Sequence, residues 1–263
     1  ADESPFKLIK KGGSKKWQAW QLSCPLAVYF EIMPAKSAEM GRQLLGEYAG
    51  EVVVDGAATY ESLARDGPFN LNNCWSHGRR QVLKAEGEAP GQVAEFLDLV
   101  GELYAIERET VRPADEGDER RGYRHRVDVE KLRVLRDTKS REVIGRMKTW
   151  IQEQRCVPGG QLKAGLTYIA KRWTALTRFL DNPLIPLDNN DTEAGYVWLA
   201  IGRRNYIGAR SIDGTQVAGK LYTIFESARA VGADPEAYLR YATEKAMAGE
   251  APLLPHEWVT QLS

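Results

Sequence analysis

Cysteine and long apolar runs are scarce in this sequence. Its three cysteines, Cys24, Cys74 and Cys156, are far apart in 263 residues. The odd number argues against a disulfide framework and fits a reducing compartment. No run of eighteen apolar residues occurs, so we expect no transmembrane helix. The chain opens without Met or a signal-like segment, which favours a fragment or an engineered piece of a longer protein.

The chain also has no net charge at pH 7, with histidine neutral. The 36 Lys and Arg residues balance 36 Asp and Glu residues, so nucleic-acid binding would have to come from local patches rather than from overall charge. What the chain does have is a globular composition, with 43% hydrophobic and 27% charged residues. Its length suffices for one large or two modest domains with a real core.

The first third of the sequence has the pattern of β-strands. Apolar and polar residues alternate in residues 6–8, 17–20 and 26–32, and Gly12-Gly13 supplies a hairpin turn. A helix capped by Ser37, the apolar run "EVVVDG", a helix "ATYESLARD" and the strand-like "FNLNNCW" follow. The predicted order is β-β-β-α-β-α-β, with "EVVV" as a buried parallel strand.

The middle of the chain is helical by its apolar spacing. Apolar residues recur at intervals of three and four in residues 93–104, 129–151 and 162–180, which predicts helices packed on one another. The charged segment at residues 112–126 predicts a loop or a solvated helix end, with DNA contact as the alternative interpretation.

Residues 183–198, "PLIPLDNNDTEAGYVW", place three carboxylates and two amides directly before a helix-like run. Asn190 followed by Glu193 is typical of a capping box, in which the Asn side chain accepts a hydrogen bond from the first turn and the Glu reaches back. Asp188 and Asn189 would then be turn residues. Whether Glu193 is more than a cap depends on the other acids in the chain.

Three acids at the ends of predicted elements suggest a metal site. Asp2 heads the first strand, Asp55 ends the fourth, and Glu193 opens a helix after the helical block. In the predicted order the first and fourth strands can lie side by side, and a later helix can bring Glu193 over Asp2 and Asp55. Paired acids repel unless a cation lies between them, and carboxylate oxygens favour Mg²⁺ or Mn²⁺. Two such ions about 3.5–4 Å apart can catalyse phosphoryl transfer. The alternative is that Asp55 only ends a strand before a glycine turn.

Eight segments, in chain order, resemble transposases of the insertion-sequence-66 family. They are "ADESPFKLI", "VVVDGAATY", "CWSHGRR", "LVGELYAIERE", "PLDNNDTE", "IGRRNYIGARSIDG", "ESARAVGADPEAYL" and "LLPHEW". The matches run from residue 1 to about residue 258, and "CWSHGRR" together with "LDNNDTE" is the most specific pair.

The resemblance implies a DNA transposase with an α/β fold, a ribonuclease-H-like mixed sheet with flanking helices that is interrupted by an all-helical insertion. The core would comprise residues 1–76 and 186–263, with the insertion at 77–185. Asp2, Asp55 and Glu193 would be the catalytic triad that binds two Mg²⁺ or Mn²⁺ ions. The implied partners are double-stranded DNA at transposon ends and target, further copies of the chain in an oligomeric DNA complex, and accessory proteins. The implied location is the cytoplasm, at the nucleoid, with no membrane.

Two pairs of arginines are candidate DNA-binding residues. Arg79 and Arg80 follow the "CWSH" segment, and Arg203 and Arg204 follow the helix that Glu193 opens. Arginine suits phosphate because it makes bidentate contacts, although surface arginine pairs are often only solvated.

Further candidates adjoin the acids. His77 is a candidate neighbour of the metal ions, and Asn189 and Asn190 lie in the turn that would set the helix of Glu193. Cys74 and His77 have the spacing of zinc ligands, but the sequence has no second such pair, so we expect no complete zinc site.

The sequence departs from the family pattern directly after Glu193. Ala194, Gly195 and Tyr196 stand where the family usually has an Arg followed by a Leu-Arg pair. Two alternatives to a transposase therefore stay open. One is a nuclease of the same fold that hydrolyses DNA without strand transfer, and the other is a non-catalytic DNA-binding relic.

Overall fold

The structure, a computed structural model, describes residues 1–113 and 126–262. The chain divides into two compact units. Unit 1 contains Ala1–Gly46 and the chain from Asn190 onward, and unit 2 contains Glu47–Arg112 and Val127–Asn189. The charged segment at residues 112–126 was predicted to be a loop or a solvated helix end. Its residues 114–125 lie outside the described ranges.

Unit 1 is built on an antiparallel sheet of three strands in the order β1-β2-β3. The strands are β1 (Asp2–Lys10), β2 (Gly13–Cys24) and β3 (Ala27–Met33). Gly12, at φ +86°, makes the first turn in the left-handed region that favours glycine. This arrangement confirms the three predicted strands and the hairpin turn between the first two.

The outer edge of β3 is covered by a helix, α11 (Ile212–Ala230). The Thr223 hydroxyl accepts the Phe30 N–H at 2.9 Å, and the Ser227 hydroxyl accepts the Val28 N–H at 3.0 Å and donates to the Val28 carbonyl at 2.8 Å. These hydroxyls satisfy backbone groups that an edge strand would otherwise leave unpaired. The buried core of this unit lies between the sheet and its helices.

The opposite edge of the sheet, on β1, is paired with a short segment from the C-terminal part of the chain. The Ile9 N–H donates to the Ala209 carbonyl at 2.7 Å, and the Ala209 N–H donates to the Lys7 carbonyl at 3.0 Å. The backbone can approach this closely because residue 208 is glycine: a Cβ there would lie 2.1 Å from the Lys7 carbonyl oxygen.

The sheet arrangement corrects one expectation. In the described residues the strands form two hydrogen-bonded sheets, because β4 (Glu51–Val54) pairs in parallel with β5 (Asn70–Asn73) and β1 pairs with β2. Hydrogen bonds between β1 and β4, expected for a single mixed sheet, are therefore not among the pairings of the described strands, and the ribonuclease-H-like fold stays a prediction. The edge of β1 that β2 leaves open is bridged at Leu8 by Ala209.

Unit 2 joins the parallel pair β4 and β5 to a block of helices. The helices are α2 (Ala58–Asp66), α3 (Trp75–Leu83), α4 (Pro90–Arg108), α5 (Val129–Leu135), α6 (Arg141–Glu153), α7 (Gln161–Lys171) and α8 (Trp173–Thr177). The predicted apolar stripes supply much of their core, in which Phe96, Met147 and Ile169 are fully buried; Trp75, predicted in a strand, begins α3 and is also fully buried. A π-helical turn, Arg136–Ser140, connects α5 to α6.

A buried arginine ties this helical block together. Arg136 is 1% exposed and binds Glu107 of α4 through two hydrogen bonds of 2.7 Å. It also donates to the carbonyls of Phe179, Asn182 and Ile185 at 2.9–3.2 Å. The side chain therefore crosslinks α4 to the backbone that leads out of the block.

The remaining helices of unit 1 are α1 (Ala38–Leu45), α9 (Asn190–Ala194), α10 (Tyr196–Tyr206), α12 (Pro235–Met247) and α13 (Pro255–Leu262). Ser37 caps α1 by accepting the Met40 N–H, as predicted. Asp234 caps α12 in the same way, with Pro235 at its first position. In the described part of the chain, no helix is both long and apolar enough to span a membrane.

Candidate active site

Unit 1 brings the strand that starts at Asp2 together with α10, the helix that directly follows the one carrying Glu193. Tyr196, the first residue of α10, donates its hydroxyl proton to the Asp2 carbonyl at 2.7 Å, and the same hydroxyl lies 3.1 Å from the Ala19 carbonyl. Burial raises the pKa of Tyr196 above its ordinary value, and the Asp2 charge adds to the effect. The hydroxyl is therefore a permanent donor that fixes the backbone of Asp2.

Helix α9 is held on the same face of the sheet. The hydroxyls of Thr192 and Ser23 lie 2.6 Å apart, and Gly195 packs directly on the Gln21 side chain. Glu193, half-buried, lies between these two contacts along the chain. The helix begins at Asn190, so Asn190 is the first residue of the turn rather than the residue before it.

Asp2 has a defined environment on this face. Its side chain is partly buried, and one carboxylate oxygen accepts the Glu3 N–H at 2.8 Å. Across the strand pair it stands directly opposite Gln21. Opposed residues of an antiparallel pair project to the same face, so Asp2 and Gln21 share the face that α9 and α10 cover.

The two C-terminal arginines of α10 differ in their surroundings. Arg203 donates to the Ser4 hydroxyl at 3.0 Å and also to the Pro5 carbonyl, so it holds α10 against β1. Arg204 is exposed. Of the two, Arg204 has the environment expected of a residue that is available to DNA phosphate.

Unit 2 carries Asp55 at the carboxyl end of the parallel strand pair. One carboxylate oxygen of Asp55 accepts the Ala57 N–H at 2.8 Å, and its carbonyl accepts the Tyr168 hydroxyl at 3.0 Å. Gly56 has φ +87°, and a Cβ there would lie 2.2 Å from the Tyr168 oxygen. Arg172 donates to the Gly56 carbonyl at 3.1 Å. The turn after β4 is thus fixed by two residues of the helical block.

Buried amides border the end of β5 in the same unit. Asn73 is paired with Val54 in the strand register and is 4% exposed, and its amide nitrogen has no hydrogen-bond partner among the described residues. Asn189 is 3% exposed, and both atoms of its amide likewise have no partner in the described part of the chain. Asp188 accepts the Tyr104 hydroxyl at 2.8 Å.

The "CWSHGRR" segment forms the start of α3. Cys74 is fully buried, and burial raises the pKa of its thiol to about 11. His77 is half-buried, with a ring nitrogen 3.3 Å from an Arg80 nitrogen. Arg79 and Arg80 are both exposed.

The predicted site residues are divided between the units. Asp2, Asn190, Glu193, Arg203 and Arg204 belong to unit 1. The residues of unit 2 are Asp55, His77, Arg79, Arg80 and Asn189. Within each unit, the described residues contain no group of three His, Cys, Asp or Glu side chains placed to hold a metal ion.

Several residues at these positions escaped prediction. Tyr168 and Arg172, which fix the turn at Asp55, lie more than one hundred residues further along the chain, and no sequence pattern links them to it. Gln21 carried a weak signal, because it is a polar residue within the strand segment "WQAWQLSC". Tyr196 was identified only as one of the residues that depart from the family pattern after Glu193.

Comparison with known proteins identifies the family. The model of the transposase IS66 family matches residues 1–217. The uncharacterized protein y4jD of Sinorhizobium fredii (strain NBRC 101917 / NGR234) is 28% identical over 257 residues, which cover 91% of this chain and 47% of y4jD. The uncharacterized protein y4hP of the same strain is 25% identical over 259 residues, covering 89% of this chain and 44% of y4hP. The chain thus spans less than half the length of these curated relatives, and no solved structure matches it. On the strength of the family match, this chain belongs to the IS66 family of transposases.

Proposed function

We propose that this chain is the catalytic part of a DNA transposase that cleaves phosphodiester bonds at the ends of a transposable element and joins the freed 3′-hydroxyl to target DNA. Asp2, Asp55 and Glu193 are its metal ligands, and residues 1–76 and 186–263 form a ribonuclease-H-like core with a helical insertion at 77–185. Double-stranded DNA is the substrate. The protein acts as an oligomer on DNA at the nucleoid in the cytoplasm, with accessory proteins.

The observation that carries the proposal is the docking of α9 and α10 on β1 and β2. Two independent hydrogen bonds, from Tyr196 to the Asp2 carbonyl and between Thr192 and Ser23, hold the Asp2 strand and the Glu193 helix on one face. The family match supports the same assignment.

The proposed ligands have the donor chemistry that a divalent cation requires. Asp2 and Glu193 supply hard carboxylate oxygens, which Mg²⁺ and Mn²⁺ prefer, and the buried amide of Gln21 on the same face has no partner among the described residues. When bound, a pair of such cations activates water or a 3′-hydroxyl and stabilises the leaving oxygen. Tyr196 keeps the Asp2 backbone in place, and the turn at Asp55 is kept in place by Tyr168 and Arg172.

The arginines supply the contacts to phosphate in this proposal. Arg79, Arg80 and Arg204 are exposed, and phosphate contacts position DNA without reading its sequence. Arg203 contributes through its bonds to β1, which keep α10 in register with the strand of Asp2.

Replacement of Glu193 by Gln in the complete protein tests the proposal. Gln has the same size and also serves in a capping box, so Glu193→Gln should fold normally and yet lose metal-dependent cleavage and joining of DNA that carries the element's ends. Asp191→Asn is the matched control, since Asp191 is an exposed acid on the same short helix, and it should retain activity.

The outcomes separate the alternatives. Cleavage without joining by the unaltered protein would identify a nuclease. No metal-dependent cleavage by the unaltered protein would identify a non-catalytic relic. Cleavage by Glu193→Gln at the unaltered rate would refute the role of Glu193 as a ligand.

A further inference from the structure

Gln21 is a buried polar residue whose amide makes no hydrogen bond within the described fold. It lies in the middle of β2 and is 0% exposed. Neither its amide oxygen nor its amide nitrogen has a hydrogen-bond partner among the described residues. A buried polar group left unpaired costs about 1–3 kcal/mol, and such groups are rare enough in folded proteins that each calls for an explanation.

The surroundings of Gln21 are those of the proposed metal site. Asp2 stands opposite it in the strand register and on the same face of the sheet. On top of it lies Gly195, where a Cβ would be 2.4 Å from the amide nitrogen and 2.9 Å from the amide oxygen. Glu193 precedes Gly195 by two residues, and Ser23, two residues along the strand, binds Thr192.

Glycine at position 195 makes room for the amide. Gly195 has φ −62° and ψ −20°, an ordinary helical conformation that any residue adopts. The backbone therefore does not require glycine, and the space is occupied by the side chain of Gln21 instead. This is also the stretch in which the chain departs from the arginine pattern of its family.

We propose that Gln21 is a positioning residue: its amide N–H, which has no partner among the described residues, donates to the carboxylate of Asp2 when that carboxylate turns to hold the cation, and thereby orients it. The inference rests on the proposed function. Full burial excludes direct contact of Gln21 with DNA, and its place directly opposite Asp2 puts a carboxylate on the same face at the neighbouring position of the strand register. Partners of this kind do not touch the metal but fix the ligand, and their loss typically weakens metal binding about 10–100-fold.

Two variants that should not destabilise the fold test the inference. Gln21→Met keeps the length and approximate volume of the side chain and removes its hydrogen bonding. Gln18→Met is the control, because Gln18 lies on the same strand, three residues earlier and on the opposite face. Gly195→Ala leaves Gln21 intact and displaces its amide, with Gly145→Ala, in open space on α6, as control.

Mn²⁺ binding to this chain, measured by titration calorimetry together with the melting temperature without metal, gives the answer. We expect Gln21→Met and Gly195→Ala to raise the dissociation constant for Mn²⁺ about 10–100-fold, with melting temperatures no lower than those of their controls. A merely structural Gln21 would change the melting temperature and leave Mn²⁺ binding unaltered. If Gln21→Met does not fold, the Mn²⁺ affinity of Gly195→Ala alone tests whether Gln21 positions Asp2.

Asp2→Asn separates a failure of this inference from a failure of the proposed function. If Asp2→Asn weakens Mn²⁺ binding while Gln21→Met and Gly195→Ala bind as the unaltered chain does, only the role of Gln21 is overturned. If Asp2→Asn also binds Mn²⁺ as tightly as the unaltered chain, the metal site at Asp2 is wrong, and the role of Gln21 falls with it.

Discussion

Replacing Glu107 by Gln should destabilise unit 2 far more than the same change at Glu102, five residues earlier on α4. Arg136 is 1% exposed and Glu107 is 14% exposed, so the guanidinium depends on this carboxylate for charge compensation. Breaking a buried pair by neutralising one partner costs about 3–5 kcal/mol, because the other charge stays buried. Gln keeps one acceptor, which places the expected loss near the lower end, at about 3 kcal/mol.

Glu102 is the matched control for this prediction. It pairs with Arg146, but these side chains are 45% and 47% exposed, and an exposed pair contributes only about 0.2–1 kcal/mol. The assay is hydrogen exchange of the α4, α6 and α7 amides, read beside urea denaturation. Exchange in these helices should accelerate about 100-fold for a loss of 3 kcal/mol, since every 1.4 kcal/mol is a factor of ten.

A double variant checks the physical reason. Replacing both partners with apolar residues, as in Arg136→Met with Glu107→Met, should recover much of the stability, because apolar replacements of a buried pair are often neutral or stabilising. Equal losses for Glu107→Gln and Glu102→Gln would refute the reasoning that burial decides the strength of these pairs.

Two further predictions concern unit 1. Burial raises the pKa of Glu226 to about 7, so the stability contributed by its protonated form is complete below pH 4.5 and is lost as the pH rises through 7. The free energy of unfolding of Glu226→Gln should therefore equal that of the unaltered chain at pH 4.5 and exceed it at pH 8 by up to about 3 kcal/mol. Melting curves of the two proteins that differ equally at both pH values would contradict this. Gly208→Ala should cost about 1–3 kcal/mol, because its Cβ would meet the Lys7 carbonyl; a melting temperature as high as that of Gly145→Ala would show that β1 does not need the close approach.

Much of the fold follows from local patterns in the sequence. The alternation of apolar and polar residues predicted strands β1 to β3, because a repeat of two residues is typical of a half-buried strand and of no other element. Ser37 marked a helix start through a side-chain hydrogen bond that involves only the next three residues. Such signals are local, so they can be read without knowing the tertiary structure.

The sheet arrangement could not be predicted in this way. The segment around Ala209 pairs with β1 because Gly208 lacks a Cβ, and nothing near Gly208 in the sequence identifies Lys7 as its neighbour. Arg136 was equally hidden, because a charged residue in an amphipathic helix is normally solvated, whereas here Glu107 and three distant carbonyls surround it.

The candidate site was predicted only in part. Asp2 and Asp55 were identified because they stand at strand ends, and Glu193 because of its unusual polar turn. Their supporting residues, Tyr196 and Gln21, belong to patterns that also suit a core helix and a strand interior. Such roles arise from three-dimensional packing, which sequence spacing does not encode.

A crystal structure of the chain with Mn²⁺, with the ions located by anomalous scattering, tests the central claim most directly. The account predicts two ions, about 3.5–4 Å apart, bound by the carboxylates of Asp2, Asp55 and Glu193. Mn²⁺ bound elsewhere, or bound without contact to Asp55 and Glu193, would contradict it.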